Sequence, residues 1–534
     1  MWRYAGPAAI LAATVAILGQ AAPASAMTES SAGASSVRLT LTGLNRDSRV
    51  VAVPEATLLS LANGVEYFYQ GAALRVARGT YLIAAEVPAY SGATLTSQTL
   101  VFEKKTIDRS EAIRLDGHDG RLLRVSLAGA RAATSVLSAD VCMSDTPGGQ
   151  GMLAGGASAG PGVAVYAVPV TSRYITFGYS DIRTSAAGAT YYLIGSKRGE
   201  IPRRLGYTQR ASGLAKLTME LRSGAYGSSE FNWSINSGND QSFCGAGQDA
   251  DTNSVQSWVS YLTPGTWTTS VTAFSEGTDG SIYQNAYFFH QATYRRGRRY
   301  ANVFGGAVAG PGPAFPATSA QYPSRYAQLS YGPDLFDDPV MTGGQSCCSR
   351  SVVKLWLGRH LIKSERTGDF STPIRRSGWY TLDASGTRWF DGSTPANLLS
   401  RHVTVSFRFH ASPTPAGNGG YQNLPLTDAR YQALGLSSAN EAVADGSTRL
   451  HVTITRPGDD GVASPVYRLK EVELYVSVNG GANWQRLRLV RAGSYWQAII
   501  HDPASGYVAI RSVVTDEHGD KTEQTVYRAY AVTG

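Results

Sequence analysis

Short runs in which apolar and polar residues alternate recur along the chain and limit what it can fold into. The pattern is clearest over residues 403–409 and 450–454. Strict alternation places every second side chain on the same face, which is typical of half-buried β-strands. Only 16% of the residues are charged, whereas Gly reaches 58 and Tyr 29, a composition that favours strands and turns over long helices. We therefore expect an all-β fold of several consecutive β-sandwich domains.

The first 26 residues have the organisation of a secretory signal peptide. Arg3 supplies a positive charge, residues 8–22 form an apolar, Ala-rich run, and Ala24-Ser25-Ala26 is a cleavage site made of small residues. An uncleaved membrane anchor is the alternative, but the run is shorter than the ~20 residues that a spanning helix needs. The sequence thus predicts a secreted, extracellular or cell-wall-associated protein that begins near Met27.

Turn-rich stretches divide the rest of the chain into units. We expect a small β-sandwich at 37–120, a second β-rich domain at 121–300, a third β-sandwich at 301–412, a linker at 413–425 and an immunoglobulin-like sandwich at 426–534. The last unit is the clearest, because an alternating strand runs directly into Asn479-Gly480-Gly481 and Asn-Gly is a strong hairpin signal. The Gly/Pro/Ala stretch Gly305–Pro316 is expected to be a linker or a long loop.

The chain has four cysteines, Cys142, Cys244, Cys347 and Cys348. In an exported protein they are expected to be oxidised. Three pairings are open, and Cys142 with Cys244 is preferred because both lie in the second unit. A metal site is not predicted, since no C-x-x-C spacing or suitably spaced histidine accompanies them.

The formal net charge is +8, and one basic cluster stands out. Arg295, Arg296, Arg298 and Arg299 lie within five residues, flanked by Tyr294 and Tyr300. The cluster is either a solvated turn between two strands or a contact for a polyanion, such as an anionic wall polymer or extracellular DNA. No nucleic-acid-binding motif accompanies it, so we do not predict a dedicated nucleic-acid-binding protein.

Four segments in order carry a resemblance to a known family. They are Gly79-Thr80-Tyr81, the stretch 294–312 (YRRGRRYANVFGGAVAGPG), the hairpin 474–484 (LYVSVNGGANW), and 513–521 (VVTDEHGDK) followed by Tyr527–Tyr530. Together they resemble the long C-terminal region appended to large secreted subtilisin-like serine peptidases of actinobacteria. The resemblance implies accessory β-domains over most of residues 37–534, without the peptidase domain.

No catalytic residue can be carried over from that family, because its H-G-T and G-T-S-M-A-x-P motifs do not occur in this chain. The segment Gly156-Ala157-Ser158-Ala159-Gly160 does match the G-x-S-x-G nucleophile elbow. An elbow needs a buried strand before Ser158 and a helix after it, whereas the sequence here predicts a Gly/Ala/Pro loop. We therefore do not expect an enzyme, and a serine hydrolase using Ser158 is kept as an alternative.

Two acidic segments raise the possibility of calcium. Asp249, Asp251 and Asn253 have the D-x-D-x-N spacing of a calcium loop, in which alternate carboxylates converge on one ion. Ser254 replaces the turn glycine and Ser260 replaces the closing glutamate, so solvated loop residues are the better interpretation. Asp334, Asp337 and Asp338 form a second cluster of the same kind. No cofactor is predicted.

Contiguous aromatic residues suggest a binding surface. They are Tyr67–Tyr69, Trp379-Tyr380 and Trp389-Phe390, and exposed rings on a sandwich face could stack on sugars or on a protein partner. The sequence as a whole favours a secreted, non-catalytic protein that binds or adheres to an extracellular polymer or protein. A structural spacer, or a partner of a separately encoded protease, is a further alternative.

Overall fold

The computed structural model describes residues 36–534 except 144–152, 223–229, 238–246, 253–256, 277–281, 313–316, 320–325, 339–342, 347–348, 367–369, 389–397, 414–420, 425, 458–462 and 467. The described residues form strands arranged in several sheets, with one short 3-10 turn at Ala211–Gly213. This confirms the all-β prediction of several packed sheets. Within these residues no helix has the length and apolar character needed to cross a membrane. The predicted signal peptide lies outside the described residues.

The described residues of the N-terminal part of the chain form 23 strands. Residues 36–128 contain β1 (Ser36–Leu44), β2 (Val50–Ala52), β3 (Ala56–Ser60), β4 (Glu66–Tyr69), β5 (Leu74–Ala77), β6 (Gly79–Ser91), β7 (Thr94–Ile107), β8 (Glu111–Asp116), β9 (Arg121–Leu122) and β10 (Arg124–Ala128). Residues 133–304 contain β11 (Ala133–Met143), β12 (Leu153–Ala159), β13 (Ala164–Ala167), β14 (Val170–Thr184), β15 (Thr190–Ile201), β16 (Gly206–Arg210), β17 (Ala215–Leu221), β18 (Glu230–Ser237), β19 (Gly247–Thr252), β20 (Ser257–Leu262), β21 (Gly265–Glu276), β22 (Ile282–Tyr294) and β23 (Arg299–Phe304).

The C-terminal part contributes the other 19 strands. Residues 317–434 contain β24 (Ala317–Ser319), β25 (Gln328–Tyr331), β26 (Gly343–Ser346), β27 (Ser349–Leu357), β28 (His360–Glu365), β29 (Phe370–Pro373), β30 (Gly378–Arg388), β31 (His402–Ala411), β32 (Tyr421–Asn423) and β33 (Asp428–Leu434). Residues 441–533 contain β34 (Glu441–Val443), β35 (Ser447–Pro457), β36 (Ala463–Pro465), β37 (Glu471–Ser477), β38 (Gln485–Arg486), β39 (Val490–Ala492), β40 (Tyr495–His501), β41 (Gly506–Thr515) and β42 (Lys521–Thr533).

Seven sheets carry these strands, together with a two-stranded pair of β10 and β16. In strand order they are sheet 1 (β2-β1-β5, with β8 on β1), sheet 2 (β4-β3-β6-β7-β13-β9), sheet 3 (β12-β11-β14-β15-β20-β17-β23), sheet 4 (β19-β18-β21-β22-β26), sheet 5 (β29-β25-β24-β32), sheet 6 (β28-β27-β30-β31-β42-β41-β37-β38, with β34 on β42) and sheet 7 (β33-β35-β40-β39, with β36 on β35).

Sheet 2 is buried on both faces. Leu58 and Ile83 point into a core shared with sheet 1, whereas their neighbours Leu59 and Leu82 point into a core shared with sheet 3. Successive side chains of a strand lie on opposite faces, so β3 and β6 need apolar residues at consecutive positions. This explains why these strands are continuous apolar runs rather than alternating ones.

Sheet 3 is also covered on both faces near β15. Leu193 joins the core toward sheet 2, whereas Tyr192 joins a third core against sheet 4, where Trp267 and Phe288 are buried. Each of sheets 1 to 4 therefore packs against the next one, and each neighbouring pair of sheets encloses a core.

Sheet 6 organises the C-terminal half. Its strands β27, β30 and β31 cover sheet 5, and its strands β42, β41 and β37 cover sheet 7, with all three sheets contributing to one continuous core. The two groups of strands meet where β31 pairs antiparallel with β42, from His402–Tyr527 to Arg408–Lys521. Residues from 349–411 and from 471–533 thus belong to one sheet. The domain limits drawn from the sequence stay a prediction, and sheets 2 and 6 continue across two of them.

The segment expected to be a linker or a long loop at Gly305–Pro316 is a loop over its described part, and that loop is buried. Residues 304–312 are all buried. The side chain of Asn440 holds this segment, because its Oδ1 accepts the Ala307 N–H at 2.9 Å and its Nδ2 donates to the Gly305 carbonyl at 2.8 Å. The composition did not distinguish a linker from a buried loop, because small residues serve a tightly packed segment as well as a flexible one.

The acidic cluster at Asp334–Asp338 belongs to the same buried junction. Arg430 Nη2 donates to Asp337 Oδ2 at 2.9 Å and to the Asp338 carbonyl. Asp338 Oδ2 accepts the Gly305 N–H at 2.8 Å. Asp337 and Asp338 are therefore not the solvated loop residues that the sequence suggested, and an arginine occupies the position beside them.

We expect Asn440→Ala to lower the free energy of unfolding by about 2–4 kcal/mol, because it leaves a buried N–H and a buried carbonyl unpaired. Denaturant unfolding followed by tryptophan fluorescence measures the change. Asn483→Ala is the matched control, since Asn483 is exposed and its loss is expected to change stability by no more than about 0.5 kcal/mol. Equal effects of the two substitutions would contradict the assignment.

The buried carboxyl of Asp428 gives the fold a pH dependence. Burial raises its pKa to about 7, although Arg430 lies nearby. An unfolded aspartate titrates near pKa ~3.9, so between these values the folded chain retains a proton that the unfolded chain has lost. The free energy of unfolding therefore falls as pH rises through this window.

We expect the contribution of Asp428 to stability to fall by about 2 kcal/mol between about pH 5 and pH 7.5, and Asp428→Asn to abolish that part of the fall. Denaturant midpoints at the two pH values measure it. Asp47→Asn, at an exposed carboxylate, should retain the wild-type pH dependence. An Asp428→Asn protein with an undiminished fall would show that this carboxyl is already ionised at pH 5.

Candidate functional site

The arginine cluster forms a turn between two sheets. β22 of sheet 4 ends at Tyr294, and β23 of sheet 3 begins at Arg299. The Arg298 N–H donates to the Arg295 carbonyl at 3.1 Å, and Gly297 has a φ of 66°. A positive φ at the third position suits glycine, as in a type II turn. The chain direction therefore reverses within four residues while it passes from one sheet to the next.

The backbone of this turn is held by fixed partners on both sides. The Arg295 N–H donates to Tyr300 Oη at 2.9 Å, and Tyr300 packs edge-on against the buried ring of Tyr294. The Lys216 N–H of β17 donates to the Arg298 carbonyl at 2.9 Å. The arginine side chains thus extend from an anchored backbone.

All four arginine side chains are exposed, and none forms an ion pair with a described carboxylate. The charge around them is one-sided, because no Asp or Glu occurs between Asp279 and Asp334 or between Glu200 and Glu220. Lys216 lies directly opposite Arg299 in the parallel β17–β23 pair. The result is a positively charged surface, which we name the arginine turn (residues 295–299 with Lys216).

The sequence analysis missed the contribution of Lys216. The guanidinium of Arg296 lies over Gly213, three residues before Lys216, where an added Cβ would meet its Nε at 3.3 Å. The position of Lys216 depends on the parallel pairing of β17 with β23. The absence of acidic residues from both segments was the one sequence signal that could have linked them.

Ser158 does not lie on a nucleophile elbow. It is an exposed residue of β12, where it pairs directly with Ser138 of the antiparallel strand β11. The loop expected at this position is therefore wrong, and so is the strained strand-to-helix turn that the hydrolase alternative requires. The neighbouring carboxylate, Asp140, accepts a hydrogen bond from Ser138 at 2.8 Å, and burial raises its pKa to about 6.

One glycine of the G-x-S-x-G match, Gly156, has a packing role, because a Cβ there would collide with Asp140 Oδ1. A Cβ on the adjacent Gly155 would lie 2.6 Å from the Ala84 Cβ of sheet 2. Small residues in β12 thus allow sheet 3 to approach sheet 2 closely.

The calcium candidates are not assembled into a site by the described residues. Asp249 and Asp251 lie in β19, in a strand rather than in the expected loop, and Asn253 lies outside the described residues. Across the described part of the chain, no three His, Cys, Asp or Glu side chains form a group that could hold a metal ion.

Cys142 lies in β11 and is disulfide-bonded. Cys244, Cys347 and Cys348 lie outside the described residues, so the identity of its partner stays a prediction.

The aromatic candidates separate into buried and exposed rings. Tyr69 and Tyr380 are core residues, whereas Phe68 is 61% exposed and Trp379 is 37% exposed. Trp379 lies on the side of sheet 6 that faces away from the core, with the Arg408 guanidinium 4.3 Å from its ring centroid. Trp389 and Phe390 lie outside the described residues.

Comparisons with known proteins add weak structural likenesses. No family model matches the chain, and no curated protein matches it. A Ca2+-stabilized adhesin that helps an Antarctic bacterium bind ice is 12% identical, with a TM-score of 0.15 over 77% of this chain and 96% of that one. A 1.5-MDa bacterial ice-binding adhesin is 8% identical, with a TM-score of 0.15 over 67% and 90%. Immunoglobulin domains 1–4 of Sidekick-1 are 11% identical, with a TM-score of 0.12 over 78% and 97%.

TM-scores this low mean that the whole chains do not superpose. The fold described above rests on its own strands and cores and not on these likenesses. The similarity to the region appended to subtilisin-like peptidases stays an interpretation of the sequence motifs.

We expect Ser158 to remain unlabelled when the protein is incubated with a fluorophosphonate probe, because its hydroxyl lies on a regular strand rather than on an elbow. Peptide mass spectrometry detects the adduct, and an active serine hydrolase serves as the positive control. Labelling at Ser158, lost in Ser158→Ala, would restore the hydrolase alternative.

Proposed function

We propose that this chain is an exported, non-catalytic adhesion protein that binds a polyanionic extracellular polymer through the arginine turn. The observation that carries the proposal is the exposure of four arginines on an anchored backbone, with no ion-pair partner among the described carboxylates. The signal-peptide pattern supports an extracellular location. The strand geometry at Ser158 argues against the hydrolase alternative.

The turn suits a polymer more than a single small anion. Arg296 and Arg298 lie on either side of Gly297, and Arg299 continues into β23 beside Lys216. Arginine presents several N–H donors in a planar fork that matches phosphate and carboxylate oxygens. A series of neighbouring positive charges binds most tightly to a ligand along which anionic groups repeat, because each contact releases counterions.

The chemistry recognised is that of a repeating phosphate or carboxylate. An anionic wall polymer and extracellular DNA both offer such groups, and the turn has no accompanying element that would read bases. We favour the wall polymer, because the described residues contain no helix that could enter a groove of DNA. Binding to DNA that exceeds binding to anionic cell walls would reverse this preference.

We expect residues 27–534 to co-sediment with anionic bacterial cell walls at low salt and to be released as salt rises. If four charges make contact, affinity should fall by about 50–150-fold between ~50 and ~200 mM salt. Replacing Arg295, Arg296, Arg298 and Arg299 together by glutamine should remove most of the salt-dependent retention. The salt series on both proteins provides the measurement.

The matched control removes four other exposed arginines. Arg38, Arg75, Arg78 and Arg114 lie in or next to sheet 1 and are exposed, so their replacement by glutamine changes the net charge equally. We expect this variant to retain wild-type binding. Loss of retention in both variants would indicate a general charge effect and would refute a site at the arginine turn.

The spacer alternative makes a different prediction. A protein that only separates other domains, or that serves a separate protease, should not be retained by any polymer at any salt concentration. The absence of retention on anionic walls, DNA, chitin and cellulose would therefore favour the spacer and end the adhesion proposal.

A further inference from the structure

An open groove lies on sheet 6, far along the chain from the arginine turn. Its volume is about 420 Å3, and residues of the four adjacent strands β27, β30, β31 and β42 line it. It occupies the face of the sheet that points away from the core, because Val353, Leu382 and Phe407 of these strands point the other way, into the core. The groove therefore crosses the junction between the two halves of the sheet.

One row of polar side chains crosses the groove. Lys354 is paired with Asp383, Asp383 with Ser406, and Ser406 with Glu523. Directly opposed residues on one face have Cβ atoms about 4.5–5.5 Å apart. The register thus places a polar group on each of four consecutive strands, in one line across the sheet.

This row offers both donors and acceptors. The Ser406 hydroxyl donates to Asp383 Oδ1 at 2.7 Å. Lys354 and Glu523 form no hydrogen bond or ion pair with another described residue. An ammonium group donates, a carboxylate accepts and a serine hydroxyl does both, so the row is complementary to a ligand whose own groups both donate and accept.

An aromatic ring lies beside the Lys354 end of the row. Trp356 follows Lys354 on the same face of β27, is half-buried and lines the groove. Trp356 lies opposite Thr381 of β30, and Thr381 lies opposite Arg408 of β31. The flat ring of an indole presents an apolar body beside the polar row.

The charges of the groove select against strongly charged ligands. Lys354, Asp383 and Glu523 are the charged residues that line the groove, so both signs of charge face its opening and their formal sum is only −1. A polyanion would meet two carboxylates, and a basic peptide would meet the ammonium group of Lys354. A neutral ligand rich in hydroxyl groups satisfies the polar row and can lay an apolar ring face on Trp356.

We propose that this groove binds a neutral polysaccharide. The row from Lys354 to Glu523 forms hydrogen bonds with hydroxyl groups of the sugar, and Trp356 stacks on a pyranose ring. Because a bound chain would lie across β31 and β42, the site exists only where the two halves of sheet 6 join. It is independent of the arginine turn in position, in ligand chemistry and in its expected response to salt.

The test is depletion of residues 27–534 from solution by insoluble cellulose, chitin, xylan, mannan and starch at about 1 M NaCl. At this ionic strength the Debye length is ~3 Å, so binding by the arginine turn is suppressed. We expect at least one of these polysaccharides to retain the protein. Trp356→Ala should weaken that binding about tenfold or more, and Trp356→Phe should largely preserve it.

Two controls separate the outcomes. Phe68→Ala removes a more exposed ring on sheet 2 and should bind as the wild type does, and the quadruple arginine variant should also bind normally at high salt. Failure of all five polysaccharides to retain the protein, or equal binding by Trp356→Ala and the wild type, would overturn the proposal. Retention by heparin or polyglutamate that depends on Trp356 would also overturn it, because the ligand would then be charged.

Discussion

The antiparallel pairing of β31 with β42 is the interaction on which the C-terminal half depends. Seven residue pairs join strands that lie more than a hundred residues apart in sequence. Without this pairing, sheet 6 would be divided into one part that covers sheet 5 and another that covers sheet 7, and the common core would be divided with it. The same pairing brings Glu523 beside Ser406, so the external surface and the internal core are set by one set of backbone hydrogen bonds.

Charged groups have two distinct roles in this protein. Arg430, Asp337 and Asp338 are buried where the segment 304–312 meets the C-terminal sheets, and they compensate one another there. Ion pairs of this kind are costly to desolvate, so their formation does not by itself imply added stability, whereas removing one partner would leave a buried charge unpaired. The arginine turn is the opposite case, because its charges stay hydrated and uncompensated and are therefore available to a partner.

Much of the strand content could be predicted from the sequence, but the packing could not. Alternation over residues 403–409 and 450–454 predicted β31 and β35, since only one face of each strand is buried. The Asn479-Gly480-Gly481 signal correctly predicted a reversal, and β37 pairs with β38 across it. Alternation identifies a buried face, however, and not the sheet against which it packs.

The linker alternative at Gly305–Pro316 and the loop expected around Ser158 fail for a common physical reason. Residues 304–312 and β12 are rich in glycine and alanine, and this composition suits flexible loops. It equally suits places where backbones must approach closely, as Gly155 shows against Ala84 and Gly386 shows against Leu335 and Phe336. Local sequence does not distinguish the two cases, because the deciding contacts come from residues far away in the chain.

The position of β42 in the middle of sheet 6 has a consequence for biogenesis. Ribosomes complete β27, β30 and β31 long before β42 exists, so the β31 edge stays unpaired while about a hundred further residues are made. An unpaired edge of this kind can recruit a strand from a neighbouring nascent chain. Delivery to the cell exterior in an unfolded state, followed by folding once the whole chain has emerged, would avoid that hazard.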